Sequence, residues 1–377
     1  LRGEALALRA LGLAARNDND IGRSLESLSR AVELAQMCGD VPLEMHLKTT
    51  LGPTLLYAGR SEEAVSVLEE AVDGLDGVDR TKATLQLGGV LARLTRFPEA
   101  AELLSGAAVE LEKSDESEWL AHVLTNLGLV DAYAGDLSSA ENNTLRARVL
   151  YERLGHESSV GITTHNLGFI AMRNGRIGEA LQHFDAAESI LDGLGQDLGE
   201  LLTDHCEALM LAGLYEDAMA VAQRCVAEMV RDRMEVGLAE AQLMLSHAAF
   251  LAGDHEAAQL AAKEALEAFI DQERPGWAAY AEFSGLRAAA SLGAEINEVH
   301  AADVADRLEA ARMRLAALAA RVIAGRIALR HGNLDFARNE LQLAAAARRS
   351  RRVDLRVNAW TAQALLRLAE DDGRGVL

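Results

Sequence analysis

Thr125-Asn126-Leu127-Gly128, then Tyr133-Ala134-Gly135-Asp136, Ala140 and Ala147, returns forty residues later as His165-Asn166-Leu167-Gly168, Gly175, Ala180 and Ala187. The offsets from the first glycine to the two alanines are 12 and 19 in both copies, and Gly52 (Ala64, Ala71) and Gly88 (Ala100, Ala107) repeat them. Weaker copies keep the same register: Gly12 with Ser24 and Ala31, Cys206 with Ala218 and Cys225, Ser246 with Ala258 and Ala265, Leu286 with Glu298 and Ala305, and Gly325 with Ala337 and Ala344. Small residues at fixed offsets let two helices approach closely. The glycine seven residues after the first column falls where the first helix ends, because glycine adopts the left-handed geometry that closes a helix. Asp136, Asp254 and Asn333 then stand where a side chain caps the next helix.

Each copy is thus a helix hairpin that cannot bury its apolar face alone, and stacking the copies supplies the missing core. The expected fold is all-α, a right-handed superhelical solenoid spanning residues 1–377 as one array. Hairpins start near residues 1, 41, 79, 116, 157, 197, 235, 275 and 312, with a tenth begun near 354. The pattern resembles the tetratricopeptide repeat over nearly the whole chain. Its period near 40 exceeds the usual ~34, which implies helices about one turn longer.

Composition agrees with helices. Only 4 residues are Pro and 4% are aromatic, while 50% are hydrophobic. The net charge of -21 argues against nucleic acid as a partner. That charge is uneven: 14 Arg face 7 acidic residues from Arg307 onward, so the rest of the chain carries the acidic excess. The three cysteines include no C-x-x-C pair, which fits a reducing, cytoplasmic setting. Cys206 and Cys225 sit in small-residue columns as packing residues, with a redox role as the alternative. No apolar run reaches the ~18–20 residues of a membrane span, and no secretory leader opens the chain. The first residue is Leu1, inside a helical pattern, so a piece of a longer protein is expected.

A search for chemistry finds little. No H-E-x-x-H occurs, and no two His are four apart. Asp204-His205-Cys206 are consecutive, and neighbours on a helix point about 100° apart, so they do not converge on one metal. No enzyme activity, metal or cofactor is expected.

What the resembled fold offers is a groove lined by first helices. The positions three before, two before, one after and four after the first small residue project into it. In the fourth copy these are Thr125, Asn126, Leu129 and Ala132; in the fifth, His165, Asn166, Phe169 and Met172; in the sixth, Thr203, Asp204, Glu207 and Met210. His122 and Arg173 lie one turn away on either side. The candidate groove residues are therefore His122, Asn126, His165, Asn166, Arg173, Asp204 and Glu207. In tetratricopeptide proteins Asn at the Asn126 and Asn166 position often holds an extended peptide, since an amide both donates and accepts; the alternative is an Asn that bonds the neighbouring repeat. Glu200, Asp204, Glu207 and Glu240 make an acidic wall suited to basic or amphipathic segments. Phe250, Tyr280 and Phe283 with Arg287 are residue types enriched at binding hot spots, and core packing is the competing account of Phe283.

A narrower resemblance rests on Gln272-Glu273-Arg274-Pro275-Gly276-Trp277-Ala278-Ala279, with Leu198-Gly199-Glu200-Leu201-Leu202-x-Asp204 and Leu251-Ala252-Gly253-Asp254. Together they look like the repeat region of actinobacterial CHAT-domain proteins, in which the array precedes a caspase-like cysteine protease. The end, Leu365–Glu370 and Arg374-Gly375-Val376-Leu377, resembles the junction toward that domain, which is itself absent. The resemblance implies a regulatory array that recognises a protein or peptide partner, or an intramolecular C-terminal effector. The alternative parent is a bacterial transcription activator whose array senses a small ligand. Arg348, Arg349, Arg351 and Arg352 would dock the missing domain or the acidic body, or form solvated surface.

Overall fold

The computed structural model describes residues 1–18, 20–114, 116–231 and 234–372; the Arg374–Leu377 phrase lies outside them. The chain forms consecutive antiparallel helix pairs. They are α1 (Arg2–Asn17) with α2 (Ile21–Cys38), α3 (Val41–Tyr57) with α4 (Ser61–Gly74), α5 (Gly77–Arg93) with α6 (Phe97–Leu111), α7 (Ser117–Ala134) with α8 (Leu137–Leu154), and α9 (Glu157–Arg173) with α10 (Ile177–Gly193). There follow α11 (Gly199–Ala212) with α12 (Tyr215–Arg231), α13 (Glu235–Ala252) with α14 (His255–Asp271), α15 (Pro275–Ser291) with α16 (Glu298–Ala310), and α17 (Arg314–Arg330) with α18 (Leu334–Leu343). A 3-10 turn (Ala344–Arg349) leads to an unpaired α19 (Val353–Asp372). There is no strand among the described residues. The fold is the all-α solenoid of tandem hairpins that the repeat demands. Its contacts divide it into two compact units, Leu1–Gln196 and Asp197–Leu377.

Within each hairpin one contact sets the spacing. A Cβ added at Gly12, Gly52, Gly88, Gly128, Gly168 or Gly325 would come within 2.3–3.1 Å of Leu28, Leu68, Leu104, Thr144, Phe184 or Leu341. The partner is sixteen residues on in every case, between the two small columns. Those columns are filled by residues with no exposure, such as Ala64 and Ala71, Ala140 and Ala147, or Ala180 and Ala187. Glycine therefore admits the large side chain of the second helix into van der Waals contact with the first helix's backbone.

The turns follow from the same register. Gly59, Gly135, Gly175, Gly213, Gly253, Gly293 and Gly332 all take positive φ. The third copy has no glycine there, and Thr95 adopts φ 59. Asp136, Asp254 and Asn333 accept from the backbone N–H of Ser139, Ala257 and Phe336, as the spacing predicts. Pro275 occupies the first turn of α15, where its missing N–H removes no helical bond.

Two hairpins depart from the pattern. In the third, Ala107 is half-buried and Ala108 is the buried residue. In the eighth, Asn297 caps α16 through the N–H groups of Val299 and His300. Glu298 is consequently the first helical residue, half-buried, and Ala301 takes the packed position.

Cys206 and Cys225 are both buried packing residues and Cys38 is exposed. The Cys206 thiol donates to the Ala218 carbonyl at 3.3 Å, and burial pushes it up to about 12.

Candidate binding site

The residues chosen from the sequence in the first unit lie on α7 and α9. His122 is turned into its own hairpin: its Nδ1 lies 2.9 Å from the Tyr151 hydroxyl on α8, and its ring packs against Trp119 and Tyr151. Burial lowers its pKa, so it is neutral near pH 7. Asn126 donates to the His122 carbonyl at 3.0 Å, within its own helix. Thr125 likewise bonds back to Ala121. His165 packs beside Phe184. Asn166 is buried, and its Nδ2 is a buried donor without an acceptor. Arg173 is exposed and lies over the Phe169 ring at 5.7 Å. Ala132 and Met172 are buried rather than open to a ligand.

In the second unit Asp204 is half-buried and Glu207 exposed, on α11. The expected acidic wall is partly neutralised, since Glu240 pairs with Arg274 at 2.8 Å. Arg274 in turn lies over Phe269 and Trp277.

A cavity of about 1200 Å³ lies along the first helices of this unit. Met210 of α11, His247 and Phe250 of α13, Trp277, Tyr280, Phe283 and Arg287 of α15, Val322, Ile323 and Arg326 of α17, and Leu355 and Asn358 of α19 all line it. Phe283 is 5% exposed, so it serves the core and the cavity wall together. Trp277 stacks on Phe269 and meets Tyr280 edge-on. His247 sits edge-on to Tyr280 and shares a hydrogen bond with the Ser284 hydroxyl at 3.1 Å. That hydroxyl also bonds the Tyr280 carbonyl. Burial drives the His247 pKa down to about 3, with Arg287 and Arg352 adding to the effect. The imidazole is therefore neutral, and Arg287 lies among the aromatic side chains beside it.

His247, Arg287 and Arg326 had a reading available in the sequence. Each stands one residue after the first small column, the register that holds Leu129, Phe169 and Glu207. The same columns carried on through the seventh to ninth copies arrive at Phe250, Phe283, Ala290, Val322 and Ile323, all of them cavity residues. The Arg348–Arg352 cluster is partly spent within the fold. Arg348 bonds Gln363 and lies over Trp360, and Arg352 pairs with Asp354.

Among the described residues no group of three or more His, Cys, Asp or Glu is placed to hold a metal. No described helix is long and apolar enough to cross a membrane.

No family model matches the chain, and no curated protein matches it. Solved structures do. A signal-transduction ATPase with numerous domains and a tetratricopeptide-repeat sensor, from Pyrococcus horikoshii, aligns with TM-score 0.59 and 16% identity over 78% of this chain. The match takes in 45% of that protein, so the chain spans less than half its length. A Rap protein complexed with competence and sporulation factor aligns with TM-score 0.57 and 13% identity over 96% of this chain and 100% of its own. The apo form of RapI gives TM-score 0.54 and 12% identity over 72% and 99%. At these identities the likeness establishes the fold, that of tetratricopeptide-repeat proteins.

Proposed function

We propose that the chain is a non-enzymatic recognition array: a regulatory scaffold that binds a protein or peptide partner along its first helices. The observation that carries this reading is the cavity of the second unit, about 1200 Å³ and lined by side chains of five successive first helices. Ligand sites of ~300–1,000 Å³ are typical for small molecules, so this one has room for several residues of an extended chain. Aromatic and arginine side chains, the types that dominate binding hot spots, make up much of its wall. Asn126, His165, Asn166 and Arg173 form a second candidate surface in the first unit, with His122 supporting Asn126 from behind. Asp204 and Glu207 are the acidic candidates in the second unit. The Rap protein among the structural neighbours is complexed with competence and sporulation factor, which accords with this reading.

The array would serve a larger bacterial, cytoplasmic protein. The Gln272–Ala279 phrase suggests a caspase-like CHAT domain as the effector, and the array's ligand would then be intramolecular. A second reading, a small-ligand sensor of a bacterial transcription activator, draws support from the cavity's desolvated His247 and Arg287.

The test is a pull-down with three proteins: wild type, Asn126→Ala/Asn166→Ala, and Trp277→Ala/Tyr280→Ala. A partner held by wild type and lost with the last variant supports recognition through the cavity. A partner lost only with the first variant moves the site to α7 and α9. No partner for wild type counts against intermolecular recognition.

A further inference from the structure

In a chain of net charge -21, the cavity of the second unit is cationic. Arg287, Arg312, Arg314, Arg326, Arg330 and Arg352 line it, against the single carboxylate of Asp354. That carboxylate is engaged by Arg352 at 2.8 Å. Arg326 reaches Asn358 at 3.4 Å.

Arg287 is the deepest of these cations. Its guanidinium lies 4.0 Å from the Phe250 ring centre and 5.9 Å from that of Phe283. Its Nε is buried and has no acceptor. No carboxylate among the described residues pairs with it at salt-bridge distance. Burial pulls its pKa below the ordinary value, yet a guanidinium keeps its proton. One opposite charge, that of Asp354, acts on it without contact and is already engaged by Arg352; a desolvated charge so weakly compensated is costly to the fold, and stacking on two rings offsets only part of that cost. The neighbouring His247 is neutral and adds no second positive charge. Phe250, Trp277, Tyr280, Phe283 and Ile323 supply apolar and aromatic wall beside it.

We propose that this cavity binds an anion carried on an apolar body, a carboxylate whose oxygens meet the Arg287 guanidinium while its apolar part lies against Trp277 and Tyr280. The proposal rests on the reading of the cavity as the binding site and specifies its ligand chemistry. A carboxylate matches the planar fork of a guanidinium. It satisfies the buried Nε–H or its neighbours, and its charge gains strength in the low-dielectric wall. Either a free organic acid or a polypeptide end supplies that group.

The experiment titrates the chain with 2-naphthoate and its neutral twin 2-naphthamide, followed by Trp fluorescence and calorimetry. A second pair, N-acetyl-Ala-Ala-Phe as the free acid and as the amide, is run beside them. Wild type is expected to prefer each acid over its amide at least tenfold. Arg287→Gln removes that preference and leaves amide binding in place. Arg326→Gln keeps the preference within about threefold of wild type. Asp354→Asn, which removes the lone carboxylate of the lining, raises it and gives an independent readout should Arg287→Gln fail to fold. Tighter binding of the peptide acid than of naphthoate identifies a polypeptide end as the source, and the reverse order a free acid. Acid and amide binding wild type equally, or a preference that survives Arg287→Gln, overturns the anion site while leaving the cavity as a binding surface. If neither pair binds and Trp277→Ala changes nothing, the cavity itself is not the site.

Discussion

The two units bring their helices together with opposite distributions of volume. In Leu1–Gln196 all five first helices place glycine at the closest approach, and the second helix answers with Leu28, Leu68, Leu104, Thr144 or Phe184. In Asp197–Leu377 three of four hairpins replace the glycine with a larger residue and set alanine opposite it. Cys206 stands in register with Ala222, Ser246 with Ala262 and Leu286 with Ala302; only Gly325 and Leu341 keep the first arrangement. What stays constant is the sixteen-residue register of the pair, not the glycine. The residue that follows divides the units too. Leu13, Pro53, Gly89, Leu129 and Phe169 are apolar or bare, whereas Glu207, His247, Arg287 and Arg326 are polar. One unit uses that column for packing, and the other presents chemistry on it.

The comparison breaks most readily at Phe184, which is fully buried. Phe184→Ala is expected to cost about 3–5 kcal/mol, read as lost hydrogen-exchange protection in α9 and α10 while α13 to α15 keep theirs. Gly168→Ser, forced against Phe184, is expected to cost about 1–3 kcal/mol. The double variant, which installs the Ser246–Ala262 arrangement in the first unit, is expected to fall short of the summed losses by about 1–2 kcal/mol. Strict additivity in urea melts would show that the pairs do not exchange volume.

The second unit has a pH response of its own. The His247 pKa, lowered from 6.5 to about 3, means that the unfolded chain takes up a proton the native site refuses. Stability is intact above the ordinary value and falls as the pH drops from about 6.5 toward 3, by at most ~1.4 kcal/mol per pH unit. His247→Gln flattens that slope in melts of α13–α15. The smallest expected effect is in the first unit, at Asp131. It is buried, accepts from Asn143 at 2.9 Å, and has a pKa raised chiefly by burial. A raised carboxyl favours the fold in acid and loses that contribution as the pH rises through its native pKa. Asp131→Asn should therefore raise the melting temperature slightly at pH 7 and not at pH 3.

The hairpins were legible because their geometry is local. A glycine, a cap and two small residues at fixed offsets leave a chain few other structures, and Asp136, Asp254 and Asn333 cap as their spacing implies. The eighth hairpin was less legible because its six-residue turn, Leu292–Asn297, moves the start of α16 while the count from Leu286 does not register it. Of the groove columns, Phe250, Phe283 and Ile323 line the cavity and Leu243, Met244 and Leu329 do not. Which copies use them was not legible, since that depends on which charges lose their partners on folding. Arg274 and Arg287 look alike in the sequence, yet Arg274 pairs with Glu240, while Arg287 lies over rings with Asp354 acting on it only at a distance. The Asn phrase drew attention to α7 and α9, where Asn126 bonds its own helix and Asn166 is enclosed.

The two buried thiols make the sixth hairpin its own clock. Cys206 lies on α11 and Cys225 on α12, both without exposure, while Cys38 stands open on α2. An alkylating reagent must reach the sulfur, so the exposed Cys38 reacts first. The other two wait for the hairpin to part, and their labelling rate counts those openings in the unaltered chain.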